Sequence, residues 1–440
     1  MRKSIILIVL LTIFGTVKAA VSFTGSSRQV ITETPEASTG LDQIYILYDV
    51  SGVSMQYTAT TSSAVTWYRY SNLGGAYSEQ VNGVIRNGNT YTLPKIDSDM
   101  GYIIEEGTSR YYLWVVDYSK HYFSLSDLSI SQEQECDVTF LTPTGSGDKI
   151  LYYTINGQAK ELDRDIKLSY MTLEWDGDNG VYNQIEKIES LSYLSTTIHT
   201  QAPLCDTDFQ MSGDRFLRTW GEEVSAVSPT FTTTAVSAET SATQTARDNS
   251  NEKKEESEAL GGSAPSEIEF RAVCSDAAIF KEWQFSTDQE FENITLRMNE
   301  PDVTYTFRNQ GTTYVRFMAS NAAGTCDYFS PTYEVFIGES SIDCPNAFSP
   351  GATEGINDEW KVSYKSIISF ECHIFNRWGI KVAEFTDPSQ GWDGKHGGKY
   401  VPSGVYYYVI KATGADGKNY ELKGDINIIK YKNSQKTSAN

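Results

Sequence analysis

The chain of 440 residues has only four histidines, His121, His199, His373 and His396, and they are scattered along its length. No HExxH, no G-x-S-x-G and no G-x-x-x-x-G-K-[ST] occurs, so the usual signatures of a zinc hydrolase, an activated serine and a phosphate cradle are missing. None of the six cysteines belongs to a C-x-x-C pair, which argues against zinc-ribbon and thioredoxin-type chemistry. Basic charge is in short supply: 36 Lys and Arg stand against 57 Asp and Glu. Nucleic-acid binding depends on clustered cations that release phosphate counterions, so no nucleic-acid partner is expected. Long apolar runs are also lacking beyond the N-terminus, which excludes a later membrane helix of about 20 residues.

At the N-terminus, Arg2 and Lys3 precede the apolar run Ile5 to Phe14, and Val17 and Ala19 follow at the positions a signal peptidase reads. Residues 1–19 are read as a secretory signal peptide, and the absence of a cysteine after them argues against a lipoprotein anchor. Removing Arg2, Lys3 and Lys18 takes the formal charge from −21 to −24, a solvated acidic surface with no membrane span.

The remainder is rich in β-formers, with 28 Tyr, 19 Phe and 8 Trp among many Thr and Val, and it shows no long 3.6-residue periodicity. The expected class is all-β, as tandem Ig-like β-sandwich modules ending in a C-terminal β-sandwich domain. Residues 20–130 form a first module with strands at Ile44–Tyr48, Val65–Tyr70 and Tyr111–Val116, and Trp67 in its core. Residues 131–245 form a second module, with SPTFTTTAVSAETSATQTA read as a closing strand or an early linker. Residues 246–264 are polar, mixed in charge and end in Gly-Gly and Pro, so they are predicted to be a flexible, protease-sensitive linker. Residues 265–339 form a third module, in which TYTF and YVRFMAS should pair as antiparallel neighbours. Its run from Tyr305 through Phe307, Gly311, Tyr314 and Phe317 to Asn321, Gly324 and Cys326 resembles the last third of a PKD-type domain.

Residues 340–431 carry the most specific pattern: CPNAFSP, EGINDEW, IFNRWG, GWDG, VPSGVYYYVIKATG and GDINIIK, in that order. Together they resemble the type B sorting, or gliding motility-associated, C-terminal domain of Bacteroidetes. The motif residues are Phe348, Pro350, Asn357, Asp358, Asn376, Arg377, Trp378, Gly379, Trp392, Asp393, Gly394, Gly404 and Tyr406. The resemblance implies export by type IX secretion machinery to the outer surface or the medium. Two features depart from the family: GATEGIND replaces an Asn-Gly-Asp-containing opening turn, and residues 432–440, read as a disordered tail, continue beyond the last strand.

The residues account for much of this pattern by themselves. In ISFECHIFNRWG, Phe370, Cys372 and Ile374 share one face and Glu371, His373 and Phe375 the other. Asp416-Gly417 reads as the positive-φ pair of a tight hairpin. Trp378 and Trp392 are read as structural, with Arg377 stacking on Trp378, pairing with Asp393 or standing at the surface doing neither.

The cysteines fall two by two along the modules, which suggests Cys136 with Cys205, Cys274 with Cys326 and Cys344 with Cys372; buried thiols are the competing reading. The acidic stretch EWDGDNG, with Asp176, Asp178, Asn179 and Gly180, is read as a turn, because Lys187 stands where a calcium loop would need its bidentate Glu. No catalytic, metal or cofactor site is expected. The functional expectation is a structural or adhesive surface protein, meeting a glycan or protein ligand; the alternatives are a secreted carbohydrate-binding protein and an accessory of a glycosidase or peptidase system.

Overall fold

The computed structural model describes residues 20–131, 135–253, 260–352 and 355–429; the expected leader and tail lie outside the described residues. The chain is all-β in tandem β-sandwich modules, with one short α-helix, Arg215–Trp220, among the described residues. It divides into two compact units, residues 1–172 with 185–232, and residues 173–184 with 233–440. No helix among the described residues is long and apolar enough to cross a membrane.

In the first unit, a four-stranded sheet contains Ala20–Thr24, Ser54–Thr58, Thr90–Leu93 and Ile85–Asn87. A six-stranded sheet contains Ile31–Glu33, Gln43–Leu47, Ser109–Asp117, Met100–Glu106, Val65–Tyr70 and Glu79–Gln80. Alternation along these strands drives Met55, Tyr57, Trp67, Tyr102, Leu113 and Val115 into one buried cluster. The strand Ser124–Ile130 does not close this module. It pairs with Val138–Ser146, so the boundary expected at residue 130 lies before Ser124. The next module adds the hairpin Ile150–Tyr153 with Ala159–Leu162 and a sheet containing Ile166–Asp176, Gln210–Gly213 and Val224–Val227.

The two modules of this unit share an ionic centre. Arg164 and Asp214 are both fully buried, with guanidinium Nη1 and carboxylate Oδ2 2.6 Å apart. Arg164 also donates to the carbonyls of Asp148 at 2.7 Å and His121 at 2.6 Å. Asp214 accepts from the Tyr118 hydroxyl at 3.0 Å and caps the short helix through the Leu217 amide at 3.0 Å.

A second buried carboxylate, Glu106, lies at the end of Met100–Glu106. Burial favours its neutral form, but bonds from Thr61, Tyr57 and the Thr60 and Thr61 amides outweigh that and hold its pKa at about 2, down from 4.5. The unfolded chain therefore takes up this proton at higher pH than the folded one. Stability from Glu106 is present above about pH 4.5 and is lost as pH falls toward about 2. Urea unfolding followed by tryptophan fluorescence, which includes Trp67 beside Tyr57, should show a midpoint falling through this window. Glu106→Gln should flatten that dependence; an equal pH response in both proteins would remove Glu106 as its source.

In the second unit, Ala238–Gln244, Ser266–Cys274 and Val303–Phe307 form one sheet. Leu260–Gly262, Tyr333–Ile337, Gly311–Ser320, Phe280–Ser286 and Ile294–Met298 run through the facing sheet. Phe270, Trp283 and Phe317 fill the space between them, at ring separations of 5.2 and 5.1 Å. Two expectations are corrected here. The segment containing Ala238–Gln244 opens this module rather than closing the previous one, since it pairs with Ser266–Cys274. TYTF pairs with Ser266–Phe270 and YVRFMAS with Phe280–Ser286, so the connection after Phe307 crosses between sheets.

The linker expected at 246–264 is packed in its described part. Asn251 donates to the carbonyls of Val362 at 2.7 Å and Pro388 at 2.8 Å, and Arg247 pairs with buried Glu252 at 2.7 Å. Leu260–Gly262 adds a parallel strand beside Val335–Ile337. Polar composition removed the apolar signal of folding, while side-chain hydrogen bonds anchor the segment instead.

The C-terminal domain contains a five-stranded sheet in the order Ala347–Phe348, Asn419–Ile428, Gly404–Gly414, Ile367–Phe375, Lys381–Phe385. Phe370, Cys372 and Ile374 point inward, beside Tyr406, Ile410, Ile426 and the two tryptophans Trp360 and Trp392.

Candidate functional site

The motif residues of the C-terminal domain divide into those that build its core and those that face solvent. Trp392 is buried, its Nε1 donates to the Lys395 carbonyl at 2.9 Å, and its ring meets Phe348 at 5.5 Å and Tyr406 at 5.1 Å. Trp392 and Trp360 exchange backbone hydrogen bonds of 3.0 and 2.9 Å. The Tyr406 hydroxyl donates to the Pro402 carbonyl at 2.9 Å. Gly394 has φ 75°, and a Cβ there would stand 2.8 Å from Pro350 Cγ, so both conformation and space require glycine.

The unusual opening turn is closed by its own side chains. Asp358 accepts from the amides of Gly351 at 2.8 Å and Gly355 at 2.6 Å, and the Ser349 amide donates to the Asn357 carbonyl at 3.0 Å. The GATEGIND sequence thus leaves the described part of this turn anchored. Asp393 accepts from the Lys395 amide at 3.0 Å and pairs with its ammonium at 2.8 Å, leaving Arg377 to stack over the Trp378 ring, 4.3 Å from its centroid.

Trp378 corrects its structural assignment: 70% of it is exposed. Asn376 sets this position. Its Oδ1 accepts from the amides of Trp378 and Ile380, each at 3.0 Å, and Gly379 supplies φ 76°. The turn between Ile367–Phe375 and Lys381–Phe385 therefore projects Arg377 and Trp378 outward. They border a pocket of about 410 Å³ that also involves Asn376, His396, Ser403 and Gly404, at the start of Gly404–Gly414. Val405, Tyr407 and Val409 stand exposed along that strand, and Ile380 is exposed at the turn. Arg377 makes no ion pair among the described residues, so the patch presents one unpaired cation amid apolar groups.

Other assignments also change. Cys136 and Cys326 are disulfide-bonded, whereas Cys205, Cys274, Cys344 and Cys372 are thiols. The expected pairs of Cys136 with Cys205, Cys274 with Cys326 and Cys344 with Cys372 are therefore not formed. Cys274 ends its strand opposite Ala238, and aromatic rings occupy the mid-strand space where an inter-sheet bridge would lie. Cys344 and Cys372 border one core; burial and then Cys344 push the Cys372 thiol up to about 12. In the Asp416-Gly417 hairpin only Gly417 has positive φ; Asp416 instead accepts from the Ser340 hydroxyl at 2.7 Å. Asp176 is occupied by its turn, accepting from the Asp178 and Asn179 amides and from Asn179 Nδ2.

Residues 342–428 match the family model described as the CHU_C Type IX secretion signal domain, and residues 129–228 match a Fibronectin type III domain model. The first match implies export and recognition by type IX machinery. The second gives the second module a named relative that none of its sequence words had suggested. No curated protein matches the chain. A tetra-tandem repeat from the extending region of a large adhesion protein aligns at 11% identity, over 87% of this chain and 96% of that one, with TM-score 0.23. The fibronectin(III)-like modules of Clostridium thermocellum CbhA align at 12% identity over 40% and 93%, with TM-score 0.18. Dimeric latent PorU from Porphyromonas gingivalis aligns at 9% identity over 86% and 43%, with TM-score 0.16. At these scores the alignments carry no argument, and the sandwich architecture rests on the sheets themselves.

Proposed function

We propose that this chain is a non-enzymatic, multi-module adhesive or structural protein of Bacteroidetes type, displayed at the outer surface or released, with a PKD-type third module. Residues 342–428 are its address, read by the type IX machinery at the Arg377–Trp378 patch. The observation that carries this reading is the division of the motif: Phe348, Trp392, Gly394 and Tyr406 serve packing, while Arg377 stacks on Trp378 and Trp378 stands exposed beside a pocket. A large exposed aromatic with an adjacent cation is the composition of a recognition anchor.

The double variant Arg377→Ala/Trp378→Ala should unfold within about 0.5 kcal/mol of the parent, as surface substitutions do. In a type IX-competent bacterium it should nevertheless accumulate in the periplasm, with surface and medium levels falling by about tenfold or more. Export at the parental level would show that the machinery reads another face.

A further inference from the structure

The six-stranded sheet of the first unit leaves part of one face uncovered. Tyr68, Ile103 and Tyr112 form a row across three adjacent strands, since Tyr68 and Tyr112 both register with Ile103. Farther along this face Tyr70 and Trp114 are buried in the unit's core, but Tyr68 and Tyr112 remain only partly covered. The 71–78 loop curls over the row. Its Gly75 amide donates to the Ile155 carbonyl at 2.8 Å, clamping it to the turn at Ile155–Gly157, and Gly74 approaches so closely that a Cβ would lie 2.6 Å from the Gly157 nitrogen. The result is a cleft of about 580 Å³. This lies within the about 300–1,000 Å³ range of small-ligand sites.

The lining combines stacking surfaces with hydroxyl-compatible polar groups. Tyr77, 71% exposed, and Leu73, 61% exposed, line the cleft together with Tyr68 and Tyr112. The charged members are Glu105 and Arg110, which pair at 2.6 Å and leave the cleft without net charge; Asn156 adds an amide. Aromatic faces accept the C–H faces of a pyranose, while a carboxylate, a guanidinium and an amide offer acceptors and donors to its hydroxyls. A paired Glu and Arg in a chain of formal charge −21 gives an anionic polymer no net attraction.

We infer that this cleft binds neutral saccharides, with Tyr77 as its stacking platform. The site is independent of the C-terminal address and would function in whichever compartment the protein reaches. The test is native affinity electrophoresis of the purified full chain in gels containing β-glucan, xylan or mannan, with polygalacturonate as the acidic comparison. The chain should be retarded by at least one neutral polymer. Tyr77→Ala should weaken the apparent affinity by about tenfold, and Tyr77→Trp should preserve it. Near-UV circular dichroism establishes that both variants are folded. No retardation by any neutral polymer, retardation by polygalacturonate alone, or affinity unchanged in Tyr77→Ala would overturn the inference.

Discussion

Arg164→Ala should destabilise the first unit by about 3–5 kcal/mol, the cost of leaving a buried charge without its partner. Asp214 would keep the Tyr118 hydroxyl and the Leu217 amide but lose the only cation within ion-pairing distance among the described residues. The carbonyls of Asp148 and His121 would lose their guanidinium donor at the same time. Against a typical domain stability of about 5–15 kcal/mol, the loss is large enough to move a urea midpoint by more than 1 M, taking a slope of about 1–3 kcal/mol/M. Arg164→Met/Asp214→Asn should recover much of it, because the asparagine can still cap the helix and no charge remains buried. A midpoint unchanged in Arg164→Ala would mean that water reaches Asp214 in solution.

Trp392→Ala should be the most damaging single change in the C-terminal domain, at about 3–5 kcal/mol, as expected for truncating a buried aromatic. The ring lies against Phe348 and Tyr406, so its removal opens a cavity that also loosens the opening turn and the start of Gly404–Gly414. Its indole bond to the Lys395 carbonyl is lost as well. Trp392→Phe should cost less, because it keeps an aromatic ring in the core while losing the indole bond and only part of the volume. Thermal unfolding of the full chain by calorimetry provides the comparison: Trp392→Ala should lower or abolish the C-terminal transition, whereas Trp378→Ala should leave it in place. Equal effects of the two substitutions would contradict the division of the motif into core and surface.

These two tryptophans show what the sequence could reveal. Both stand next to turn residues, and period-two alternation grouped Phe370, Cys372 and Ile374 on one face, which is the buried one, but a turn residue has no alternation to read. The spacing of Asn376 and Gly379 was the available signal. An Asx-closed turn ending in positive φ points its middle residues to water. The polar stretch around Asn251 misled in the other direction, since its anchoring depends on the carbonyls of Val362 and Pro388, more than a hundred residues away.

Likewise, nothing local connects Arg164 with Asp214, or gathers Tyr68, Tyr77, Tyr112 and Asn156 into one cleft. Those associations arise only once strands from separate parts of the chain lie side by side. Cysteine order failed for a related reason: it assumes that pairing follows the chain, whereas Cys274 stands at the very end of Ser266–Cys274 and Cys326 lies beyond the end of Gly311–Ser320.

The most direct measurement of the address is the location of the full-length chain in a type IX-competent bacterium and in its translocon-deficient derivative, followed by immunoblotting of periplasm, intact-cell surface and medium. With residues 342–428 acting as the address, the chain should reach the surface or medium of the competent strain and accumulate in the periplasm of the deficient one. The same distribution in both strains would contradict the proposal.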